Sequence, residues 1–204
     1  MNAVIYFLAT TMFLLSGGRK QDCLTYKRYY NEHLEQFVRR EKSGKLCMQM
    51  NIYPRATKIA DLALQGELKD AYELQNLKGN ELYFKLELSS PNTGMTEFLN
   101  LESGQTTFSE RVEYYHFAFS SDIKVELDDK VISMSEFEFE RLFNVSPKGN
   151  FYGVIPIKKN SKKLKITIAD KLYDHELTVF EYDLTSIKKL PKLEKIHNPG
   201  NKSI

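Results

Sequence analysis

The chain has 204 residues, with 29 basic against 27 acidic side chains and a formal charge of +2. A hydrophobic share of 42%, including 12 Tyr and 13 Phe, supplies a real core and excludes global disorder. Two cysteines and four scattered histidines exclude a disulfide-dense scaffold and a zinc-cluster fold.

The charge is unevenly spread. Residues 186–204 carry five lysines against Glu194, and Arg19 and Lys20 add two more, which leaves 22 basic against 26 acidic residues between 21 and 185. A mildly acidic body is not a nucleic-acid surface, so no nucleic-acid partner is expected.

In chain order, the first feature is an uncharged run from Ala3 to Leu15, closed by Ser16-Gly17-Gly18 and followed by Arg19-Lys20. At ~1.5 Å per residue it falls short of a ~30 Å hydrocarbon layer. Its length suits the apolar region of a signal peptide, residues 1–18, with Ser16-x-Gly18 permitting cleavage before Arg19. The absence of Lys or Arg ahead of the run favours the competing reading, a core element of a cytosolic protein. Leu15-Ser16-Gly17 is similar to the signal of bacterial lipoproteins, with Gly18 in place of the cysteine that those proteins acylate. The resemblance covers about twenty residues and implies export to the periplasm or the membrane-attached cell envelope.

Residues 19–44 read as a helical segment. Tyr26, Tyr30, Leu34, Phe37 and Val38 recur at spacings of three and four, which predicts an amphipathic helix over 24–42, stopped by Ser43-Gly44. The period then becomes two: Leu46, Met48, Met50 and Ile52 alternate with polar neighbours up to Pro54. Residues 55–79 fit either helix or edge strand. Further strands are predicted at 82–88, 95–101 and 112–119, then at 123–127, with Asp128-Asp129 turning the chain into Val131. Segment 135–146 is balanced between a helix, on a Ser135-x-x-Glu138 capping signature, and a strand, on alternating Phe and Glu. Strands at 151–157, 164–168 and 177–182 complete the set, and 186–204 reads as a basic, flexible tail able to touch a membrane surface peripherally. About eight strands without βαβ alternation predict a mainly β chain. The expected fold is an antiparallel β-sandwich over 45–185, immunoglobulin-like or transthyretin-like, preceded by one amphipathic helix.

No hydrolase, nucleotide-binding or metalloprotease motif is present, which argues for a non-catalytic role without cofactor or metal. Tyr114, Tyr115, His116 and Phe117, read as an aromatic strand, are the candidate binding residues for a protein or glycan partner. Asp122, Asp128, Asp129, Asp170 and Asp174 sit in or near turns and lack calcium-loop spacing. Cys23 and Cys47 are candidates for a disulfide, which would close a loop of about 25 residues and stabilise by about 3 kcal/mol. Asn144-Val145-Ser146 is formally a glycosylation acceptor, rendered uninformative by Pro147 and the bacterial-type leader. The functional expectation is an envelope binding module. An immunity protein against a secreted toxin and a periplasmic hydrolase are the alternatives.

Overall fold

The computed structural model describes residues 22–43, 45–90, 98–101, 106–140, 147–173 and 177–197. The leader, Asp174 and the Asn144 acceptor lie outside these residues. Among the described residues no helix is long and apolar enough to cross a membrane.

The chain forms two compact units, whose boundaries differ from the 19–44 and 45–185 division expected from sequence. The helical unit draws on three separate stretches: 22–34, Pro54–Lys78 and the residues from Lys189 onward. Helix α1 (22–32) contributes Cys23 and Tyr26 to its core. The ambiguous segment 55–79 resolves into two helices, α2 (Arg55–Gln65) and α3 (Leu68–Asn76). Gly66, at φ +91°, ends α2. Its N–H bonds the Ala63 carbonyl and the Glu67 N–H bonds the Leu62 carbonyl, the paired closure that needs a left-handed residue between two helices. Ala60, Ala63 and Ala71 are small enough to let helix backbones approach, and Tyr26 Oη lies 3.2 Å from Thr57 Oγ1 inside the cluster.

The basic tail is anchored over its described residues, 186–197. Ile196 is buried in this helical core, and Leu190 and Leu193 pack on it. Gln75 clamps the Ile196 backbone from both sides, donating to its carbonyl at 3.2 Å and accepting its N–H at 2.8 Å. The Glu194 N–H bonds Asp22 at 3.0 Å. Three apolar residues spaced by three hold the segment down, outweighing the fraying that its lysines suggest.

The second unit, Glu35–Tyr53 with Gly79–Lys188, is a mainly β, two-sheet antiparallel sandwich, as expected. The predicted long helix 24–42 is cut short: after a 3-10 turn (Leu34–Gln36) the chain enters strand β1 (Val38–Ser43). β1 pairs with β2 (Leu46–Pro54), and ladder bonds to a partner strand override the helical spacing of Phe37 and Val38. The five-stranded sheet runs β1-β2-β3-β7-β6, with β3 Asn80–Ser89, β6 Glu136–Glu140 and β7 Lys148–Ile157. The four-stranded sheet runs β5-β4-β8-β9, with β4 Ile123–Leu127, β5 Lys130–Ile132, β8 Lys163–Ile168 and β9 Thr178–Asp183. Segment 136–140 is therefore strand. Inward residues alternate strictly in β2, β3, β8 and β9, and Tyr182 Oη donates to the Met50 carbonyl at 2.9 Å between the sheets. The expected Asp128-Asp129 hairpin is present: φ values of +49° and +62° match the mirror-image turn that suits strand twist.

One expected strand is a helix. Residues 112–119 lie in a continuous helical run made of α4 (Phe108–Glu113), a wide π turn (Tyr114–Ala118) and a 3-10 turn (Phe119–Asp122). A full capping box starts it, with Glu110 N–H on Thr107 Oγ1 and Thr107 N–H on Glu110 Oε2. Arg111, Tyr115 and Phe119, four apart, face inward. The weak strand expected at 95–101 is, over its described part, a 3-10 turn at Phe98–Asn100.

Candidate functional site

The helical run sorts the four predicted binding residues by depth. Tyr115 is fully buried among Phe98, Phe119, Phe151 and Tyr173, so it is not available to a ligand. Its hydroxyl donates to Asp170 Oδ2 at 2.6 Å, while Asp170 Oδ1 accepts the Leu172 and Tyr173 N–H groups. Tyr114, half-buried, donates to Asp122 Oδ2 at 3.0 Å and accepts the Lys171 N–H, and the Lys171 ammonium binds Asp122 Oδ1. Burial first, then the Asp170 charge, pushes the Tyr115 phenol well above its ordinary range. Burial likewise raises Tyr114, against the lowering bond from Lys171. Both rings stay protonated donors, fitted to structural latching rather than to base or nucleophile chemistry.

His116 and Phe117 are the two that reach the surface. Phe117 is 82% exposed, and the His116 ring packs on Phe139 with centroids 4.8 Å apart. The wide π turn turns these side chains outward while Tyr115 and Phe119 stay in the core.

Three residues after Phe117, the same run lines a cleft of about 390 Å³. Ser120, Ser121, Ser133 and Ser135 supply hydroxyls, and Ile123, Val125, Ile132 and Phe137 supply an apolar floor. Among the described residues Glu136 is its single titratable lining residue. The cleft is lined from both sheets and by the Ser133–Ser135 link between them: β5 is the last strand of one sheet and β6 the last of the other.

β6 presents three exposed carboxylates, Glu136, Glu138 and Glu140, on the face opposite Phe137 and Phe139. Among the described residues none of the three has a cationic partner, whereas the four-stranded sheet neutralises itself through Lys124–Glu126 and Lys163–Glu181. Glu140 is held in place by Asn150 Nδ2 at 3.1 Å and by Tyr152 Oη at 3.0 Å. Burial, then this carboxylate, pushes Tyr152 up to about 12. The sequence reading missed this acidic edge, although the period-two Phe-Glu repeat carried the signal.

The turn carboxylates act structurally. Asp128 Oδ1 accepts the Lys162 and Lys163 N–H groups at 2.8 and 3.0 Å, which hold its pKa down. Among the described residues no group of three or more His, Cys, Asp or Glu gathers where a metal ion would sit. The disulfide is not formed: both thiols are free, Cys23 buried in the helical unit and Cys47 half-buried on β2 of the sandwich. Sequence spacing carries no distance between two elements, and these two elements belong to different units. No family model matches the chain, and none of the curated proteins is similar to it.

Proposed function

We propose that this chain is a non-catalytic recognition module of the cell envelope, and that it binds a protein partner at the open side of the sandwich between β5 and β6. The carrying observation is the cleft bordered by two terminal strands, with Phe117 standing exposed on the turn beside it. Exposed aromatic anchors next to a partly apolar recess are the usual centre of a protein contact. Among the described residues the recess is lined by hydroxyls, apolar side chains and one titratable group, a lining that supports binding. The envelope address rests on the apolar leader and its resemblance to a lipoprotein signal.

Photocrosslinking tests the reading. A photoreactive side chain at Phe117 or Ser121 in the native host is expected to trap one discrete protein, and the same group at Lys165, on the outward face of the four-stranded sheet, is not. Ile132→Arg, which fills the recess, is expected to abolish the trap. Equal capture from Lys165, or capture indifferent to Ile132→Arg, would overturn it.

One observation favours a second reading, glycan binding. Tyr53 and Tyr83 stack on the outward face of the five-stranded sheet, centroids 5.7 Å apart and planes within 16°, forming an aromatic platform of the kind sugar rings stack on. Oligosaccharide titration with Tyr83→Ala as control separates the two readings.

A further inference from the structure

The geometry of the open side specifies its occupant. Among the described residues β6 is paired with β7 on one side and no strand pairs with its other side, so there one row of its backbone N–H and C=O groups is left for another strand. Side chains on a strand added there must alternate as those of β6 do. One set stands beside Glu136, Glu138 and Glu140. The other set turns inward, over Phe137 and Ile132 at the start of β6 and beside the His116 ring where that ring packs on Phe139.

The two sets meet opposite chemistry. Three carboxylates in a row at every second residue, without a cation among the described residues, call for Lys or Arg at every second position of the partner. The Phe137–Ile132 floor calls for apolar residues between them. The surplus of acidic residues over 21–185 steers in the same direction. A second copy adding antiparallel through its own β6 would set glutamate against glutamate, which is unfavourable.

We infer that β6 takes an extended segment of a partner protein as a sixth strand of the five-stranded sheet, and that this segment alternates basic and apolar residues. The inference rests on the reading above, that the open side binds protein. It adds the binding mode and the chemistry of the partner: main-chain bonds give the affinity, and the glutamates with the recess give the selectivity.

The test uses the full chain and a synthetic peptide of alternating Lys and Val, titrated by NMR at low salt. Three controls are a Glu-Val peptide, a Lys-Val peptide methylated on alternate backbone nitrogens, and the Glu136→Lys/Glu138→Lys variant, whose changes lie on exposed positions. The Lys-Val peptide is expected to bind at least tenfold tighter than the Glu-Val peptide, to weaken with salt, and to slow amide exchange in β6. Backbone methylation and the double variant are each expected to cost tenfold or more. Undiminished binding of the methylated peptide would mean electrostatic attraction without strand addition, and undiminished binding by the variant would remove the glutamates; either overturns the inference. Head-to-tail association of the chain through its basic edge strand β1, which carries Arg39, Arg40 and Lys42, would also overturn it, by showing a second copy as the occupant. A partner trapped at Phe117 but indifferent to salt and to the double variant would leave the open-side reading standing and sink strand addition alone.

Discussion

Tyr115 donates its hydroxyl to Asp170 at 2.6 Å inside the sandwich, tying the π turn to the loop that follows β8. The residues are 55 positions apart, and each is almost completely shielded from water. A buried carboxylate needs several donors, and Asp170 has this phenol and two backbone N–H groups.

Tyr115→Phe removes one of those donors and is expected to cost about 1–3 kcal/mol. The folded state holds this phenol protonated to higher pH than the unfolded chain does. Its contribution is therefore complete below about pH 10 and is lost as pH climbs from there. Urea unfolding across the alkaline range should show a steep loss of stability in the parent and a shallower one in Tyr115→Phe. Parallel slopes would contradict the assignment.

Gly153 lies opposite Phe84 on β3 and Phe137 on β6. A Cβ at Gly153 would stand 2.3 Å from the Phe84 ring, itself fully buried. Gly153→Ala is expected to destabilise by about 1–3 kcal/mol, as overpacked cores do. In a double-mutant cycle Phe84→Leu should relieve part of that loss; additive costs would show that the ring is not the obstacle.

Ile196 belongs to a core, so its truncation carries a core penalty. Ile196→Ala is expected to cost about 2–4 kcal/mol in the helical unit, and Gln75→Ala to add local opening of residues 190–196. Hydrogen exchange reads both. Fast exchange of the Ile196 amide in the parent would restore the flexible-tail reading.

The thiols should differ sharply. Burial, then the neighbouring Asp22 charge, raises the Cys23 pKa, so native Cys23 should resist alkylation at neutral pH. Half-buried Cys47 should react first, and mild oxidation should leave the melting temperature of the monomer unchanged. A shift to a more stable oxidised monomer would mean that the two thiols pair.

Most strands were legible because β2, β3, β8 and β9 show period-two burial between turn residues, and the Asp128-Asp129 pair marked its own hairpin. Residues 112–119 were not, because nearly every position there is large or aromatic and any periodicity can be drawn through it. The deciding signal lay upstream, in Thr107-x-x-Glu110. The look-alike Ser135-x-x-Glu138 pointed to a helix where the chain forms β6, since Phe137 and Phe139 gain more by facing the core together. Within the candidate site, His116 and Phe117 were read as strand residues, whereas they stand on a π turn. The cleft and the free β6 edge arise from how distant strands are ordered, which no local pattern encodes.

The helical unit is stitched from stretches that flank the sandwich in sequence, with residues 35–53 and 79–188 threaded between its parts. The strands of the sandwich all precede Ile196 in the chain, so the residue that Gln75 holds in the helical core is synthesised after every strand. The helical core therefore depends on sequence from both ends of the described chain, whereas the strands of the sandwich lie between them.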